Sequence, residues 1–424
     1  MKWGTQIYIM KHILIGLLLV FSLFGCGSGK AEGHIPLIDL EDAFDNNSEY
    51  VNLSRYCKSI EYIPLETNYE SVLDIDGVTK VDIRADSNSI FIKNSQTNAI
   101  VVFSNKTGEY ITSFNRQGRG PGEYQDFYFW DLKGESDSDN FRVAIHCMNS
   151  AFIYGKGYVF LHKIDADYGD IWSSPNVFKV ILAPNEKCDY IYTLDCERNF
   201  NLQSGRTEVY NYLVKRDSTG ETVSRLIDKR VHPWQWPMTE FYTYGKTLKY
   251  LTSGRDSIFA VKDIGNISLE YTISLGRYEY LREIVPSAEK KGTVYYEPAE
   301  KSINENKYFI ALTGYLPASD LPQIYLQRGY NQRCPSFILY DKKEQKTFAL
   351  KRLPEYDFIG MVDDLEGGMP FAPVYMRFNK MYQLVDAIDF IEYAQKSNSQ
   401  KMKQVAATLT EDSNPVMVVA TLKE

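Results

Sequence analysis

The sequence predicts an all-β chain built as a six-bladed β-propeller of four-stranded antiparallel blades, and three observations lead there. Short runs of branched and aromatic residues alternate along most of the chain with turns rich in Asn, Gly and Asp. The runs recur at the ~40–50 residues that one four-stranded blade consumes. The chain finishes on a plain strand, Pro415 to Leu422, suited to sealing a ring by pairing terminal strands within one sheet.

Taken in order, the clearest unit is Ser89-Ile90-Phe91-Ile92-Lys93, a polar turn, Ala99-Ile100-Val101-Val102-Phe103, the turn Ser104 to Gly108, then Glu109 to Phe114. Three strands joined by such turns form most of one blade. The pattern returns at Tyr210 to Ser224, at Asp256 to Ile273 and at Phe337 to Leu350. Residues 277–302 interrupt it with Pro286, Pro298 and many charges, and residues 363–373 form a turn-rich loop. Ala387 to Ala394 and Lys401 to Leu409 read as two short helices, the second carrying Met402, Val405 and Leu409 at helical spacing. Val51 to Leu65 is the candidate N-terminal strand for closure, so residues 49–424 are expected to be the propeller.

The N-terminus carries a different signal. Ile13 to Phe24 is an apolar run behind Lys11-His12, shorter than the ~20 residues a membrane-spanning helix needs. It has the dimensions of a signal-peptide core, and Leu23-Phe24-Gly25-Cys26 resembles a lipobox. Residues 1–25 are therefore expected to be a lipoprotein signal peptide, Cys26 the acylated residue, and residues 26–48 a flexible tether. Lipid alone would hold such a protein to the membrane. Gly27 leaves the position after the Cys without the Asp associated with inner-membrane retention, so an outer-membrane lipoprotein is expected, periplasmic or surface-facing.

Composition narrows the function. A net charge of −8 and a pI near 5.4 provide no basic footprint for phosphates, which argues against nucleic acid. Without Cys26, five Cys remain, an odd number unlike a disulfide framework. Cys188 and Cys196 could pair only if the chain between them folds back. No zinc spacing, EF-hand loop, Gly-x-Ser-x-Gly or His-Glu-x-x-His occurs, so no metal, cofactor or catalytic residue is assigned. The acidic runs at Asp74-Ile75-Asp76, Asp137-Ser138-Asp139 and Asp363-Asp364-Leu365-Glu366 read as solvated turns.

Several stretches resemble the six-bladed propeller lipoproteins of Gram-negative bacteria related to NHL-repeat propellers. Ile63-Pro64-Leu65-Glu66-Thr67 resembles their opening strand, Asn98 to Gly108 their repeat, Gln117-Gly118-Arg119-Gly120-Pro121-Gly122-Glu123-Tyr124 their blade connector, and Asn414 to Val418 their last strand. The resemblance implies a fold and is nearly silent on activity, because one propeller fold hosts unrelated functions.

Three side chains are singled out as candidate ligand residues. The Gly118–Glu123 run lies between two strands, whereas a phosphate loop opens a helix, so it reads as a connector whose Arg119 could reach a mouth of the central channel. Trp234 and Trp236 sit in the loop His232 to Pro237, where indole faces suit sugars or other flat ligands. The expected function is a non-enzymatic scaffold for a protein or glycan partner in the envelope. The alternative is a glycan-active or lyase-type enzyme whose site assembles at the channel.

Overall fold

Strand follows strand along the chain in the sheet pattern of a propeller. The computed structural model describes residues 34–74, 83–94, 96–125, 127, 129–147, 150–165, 176–182, 191–201, 206–228, 240–251, 256–263, 266–276, 302–313 and 337–424. The described residues open with β1 (Leu37–Asp39), helix α1 (Leu40–Asp45), β2 (Ser48–Glu49) and β3 (Cys57–Pro64). Four groups of four strands then come in sequence. They are β4–β7 (Ile83–Ala85, Ser89–Asn94, Ala99–Ser104, Tyr110–Phe114), β8–β11 (Phe129–Lys133, Arg142–Cys147, Ser150–Tyr154, Phe160–Asp165), β12–β15 (Asn176–Leu182, Ile191–Asn201, Arg206–Arg216, Thr222–Asp228) and β16–β19 (Glu240–Tyr244, Thr247–Leu251, Ser257–Asp263, Asn266–Ser274). After them come β20–β23 (Ser302–Glu305, Phe309–Thr313, Phe337–Asp341, Lys346–Leu350), the ribbon β24–β25 (Arg352–Leu353, Phe358–Ile359), β26 and β27 (Tyr375–Arg377, Lys380–Val385), helices α2 (Ala387–Lys396) and α3 (Gln400–Ala406), and β28 (Val416–Leu422).

Within each sheet the strands are antiparallel neighbours in chain order, and the first strands touch across sheets: β26 meets β4, β8 meets β12, and β20 meets both β16 and β26. The first strands therefore face the axis and the fourth strands form the rim, the arrangement of a propeller. The last sheet has the order β26-β27-β28-β3, with Met417 opposite Ile63 and Val418 opposite Tyr62. N- and C-terminal strands thus share one sheet, and a single large core joins it to both helices and to its neighbour.

Two expectations are corrected here. Uniform four-stranded antiparallel blades are found in four sheets, while two others carry a fifth strand that is parallel. That strand comes from the segment expected to be tether: β1 pairs with β19 and β2 with β23. Asp39 caps α1 between them by accepting from the Asp42 N–H, and Leu40 and Ala43 are fully buried. With β3, this segment occupies the outer edges of three sheets in succession, leaving fewer unpaired edge strands to template aggregation. The two C-terminal helices lie where helical spacing places them: Ser399 caps α3, Met402 is buried, and Val405 and Leu409 pack on the core.

Because each sheet alternates in direction, its first-to-second and third-to-fourth turns leave from one end, and all other connections leave from the opposite end. At the first end no turn exceeds eight residues (134–141 and 183–190). Connections at the opposite end include residues 115–128, 275–301, 314–336 and 386–415, the last with 30 residues. Loops longer than about 12 residues are uncommon without a purpose. Here they are segregated to one side. Among the described residues no helix is long and apolar enough to cross a membrane.

Candidate ligand-binding site

The connector 115–125 is a tight, self-bonded loop. The Gly118 N–H donates to the Tyr124 carbonyl at 2.9 Å, the Tyr124 N–H to the Arg116 carbonyl at 3.0 Å, and the Gly120 N–H to the Glu123 Oε2 at 2.7 Å. Its anchor is Tyr124, fully buried, with its hydroxyl donating to the Asn98 carbonyl at 3.1 Å. Gly122 has φ +75°, and a Cβ there would lie 2.5 Å from the Phe160 ring. Only glycine lets the connector rest on that ring. Tyr154 fixes the contact by donating to the Gly122 carbonyl at 2.9 Å.

Between this loop and the β8–β11 sheet lies an open recess of about 580 Å³ walled by Arg119, Glu123, Ser150, Phe152, Phe160 and Lys163. That volume is within the ~300–1,000 Å³ usual for small-ligand sites. Arg119 is exposed and makes no hydrogen bond or ion pair with a described residue. Lys163 pairs with Asp165 at 2.6 Å and stands 5.7 Å from the Phe152 ring centroid. The walls come from β9, β10 and rim strand β11, and none from inner strand β8. Arg119 therefore borders a recess over β9, β10 and β11, because its connector doubles back over the strands it precedes.

Trp234, Trp236, Cys26, Cys188 and Cys334 lie outside the described residues. Among the described residues no group of His, Cys, Asp or Glu is arranged to hold a metal.

Two charged clusters that the sequence does not announce occupy the sheet seams. On inner strands β4, β8 and β26, Arg84 approaches Asp131 at 3.6 Å and lies 5.2 Å from the Trp130 ring, while Arg377 donates to the carbonyls of Ala85 and Gly134. Burial raises the Asp131 carboxyl, opposed by Arg84. Between the β16–β19 and β20–β23 sheets, buried Glu305 accepts from Lys342 at 2.7 Å and from the Tyr242 hydroxyl at 2.9 Å, and Lys249 pairs with Glu270. Burial pushes Lys342 down. Asp131 reaches Arg84 and Glu305 reaches Tyr242 across neighbouring sheets, so these two carboxylates latch the seams, while Lys249 and Glu270 pair within one sheet. Asp363, expected in a solvated turn, is also buried: it accepts from the backbone of Leu365, Glu366 and Gly368 and from the Tyr62 hydroxyl at 2.8 Å. It caps the turn and ties it to β3.

Sheet order, axial first strands and a loop-walled recess define a propeller-like protein with its long connections on one side. The chain belongs to the family described as domain of unknown function DUF4934, matched over residues 35–421. No curated protein matches it. Among solved structures it is similar to a protein of Bacteroides fragilis NCTC 9343 described by name as exported, at 14% identity and a TM-score of 0.56, over 92% of this chain and 100% of that one. It is also similar to a member of the DUF4221 family from Bacteroides vulgatus, at 11% identity and a TM-score of 0.42, over 87% and 97% of the two chains. At such identity the first likeness shows the fold alone.

Proposed function

We propose that this protein is an exported envelope lipoprotein, acylated at Cys26, whose propeller binds a protein or glycan partner through its long-connection end. The observation that carries the proposal is the one-sided placement of the long connections, with Arg119 on a connection of that end. A scaffold without a binding end would have no reason to concentrate its insertions there. The lipobox-like Leu23-Phe24-Gly25-Cys26 and the exported B. fragilis protein support the location.

The test is capture from detergent-solubilised envelopes with the intact protein and with a variant whose residues 277–301 are replaced by eight Gly and Ser residues. Such a linker reaches roughly 16 Å, enough to cross three strand spacings of ~4.8 Å. The variant is expected to fold with an unchanged circular dichroism spectrum and to lose a partner that the parent retains. Cys26→Ala should move the protein to the soluble fraction. Retention of the same partner by the linker variant would overturn the proposal, as would turnover of a polysaccharide by purified protein with no partner captured.

A further inference from the structure

We infer that the recess beneath the Gly118–Glu123 connector binds an acidic sugar, a pyranose bearing one carboxylate within an oligosaccharide. This rests on the proposal that the long-connection end is the binding end, and adds the ligand. Four observations converge on it. The Arg119 guanidinium is exposed at the recess without a partner among the described residues, and Lys163, paired with Asp165, adds a second cation on the facing strand. A planar fork of N–H donors matches a carboxylate bidentately. Phe152 and Phe160 supply apolar surface for the face of a ring. Glu123 and Ser150 stand in the same wall and can accept from hydroxyls. A bare anion or a flat aromatic acid would leave the Glu123 carboxylate facing negative or apolar surface, whereas a polyhydroxylated ring with a single acid satisfies cations, carboxylate and aromatic faces together. The glycines hold the loop close enough for this: Gly122 lies on Phe160, and a Cβ on Gly118 would collide with Glu123.

The test is calorimetric titration of the detergent-solubilised full chain with a galacturonic-acid trimer, its methyl ester and acetate. The acid trimer is expected to bind, with esterification and Arg119→Ala each weakening binding about tenfold or more, as loss of a charge-assisted hydrogen bond does. Arg119→Lys should recover part of the loss, and Phe160→Leu should weaken the ester and the acid alike. Arg119 is exposed, so its variants should fold, as unchanged melting would verify. No binding of the trimer at millimolar concentration, equal binding of the ester, equal binding of acetate, or an unaffected Arg119→Ala would each overturn the inference. If the trimer fails while the linker variant still loses its partner, the binding end stands without this ligand; if the trimer binds and the linker variant keeps its partner, the reverse holds.

Discussion

Val418→Asp is expected to abolish folding, leaving the protein insoluble or without a cooperative melt. Val418 is fully buried in the interior strand of the sealing sheet, opposite Tyr62 on β3 and Gln383 on β27. A carboxylate there finds no cation among its paired neighbours. The several kcal/mol cost of burying an uncompensated charge is comparable with the ~5–15 kcal/mol total stability of a domain. Val418→Ala, which removes two methyl groups without adding charge, should cost only about 2–3 kcal/mol and leave a foldable protein. Val223→Asp is the control: Val223 is 52% exposed on rim strand β15, so a change within ~0.5 kcal/mol is expected from urea unfolding. Equal unfolding curves for Val418→Asp and the parent would mean that the ring is not sealed through β28.

Acid should weaken the protein through His146. This side chain is 2% exposed, stacks on the Phe129 ring at 5.9 Å, and has both ring nitrogens without a hydrogen-bond partner among the described residues. Burial lowers its pKa from 6.5 to about 4. The sign follows from linkage: the unfolded chain takes up a proton at His146 below about pH 6.5, whereas the folded chain resists until about 4. Stability from this residue is present above pH 6.5 and is lost as pH falls toward 4, by about 3 kcal/mol at most. His146→Leu should remove that part of the acid slope and raise the melting temperature at pH 5. Parallel stability–pH curves for parent and variant would contradict this account.

The legible parts of the fold were those written in local pattern. The strands expected around residues 89–114 match β5, β6 and β7 closely because runs of branched and aromatic residues bounded by Asn- and Gly-containing turns dictate them. The sealing strand and α3 were readable for the same reason. By contrast β1 and β2 have three and two residues, too short for any period, and are strands only because β19 and β23 offer edges. Asp39, with Glu41 and Asp42 behind it, was the local clue to α1. The seam clusters were hidden because Arg84, Asp131 and Arg377 meet only when separate sheets converge. Arg119 was recognisable from its glycine setting, but its address over the outer strands depended on the Gly122–Phe160 contact.

The central claim, that partners are met at the long-connection end, is tested most directly by site-specific photo-crosslinking in intact cells. A photoreactive residue would replace Gln96 or Arg119 at that end, and Lys343 or Phe378 on the short turns at the other, all exposed. Crosslinked adducts are predicted from the first pair and not the second. Adducts confined to Lys343 and Phe378 would contradict it.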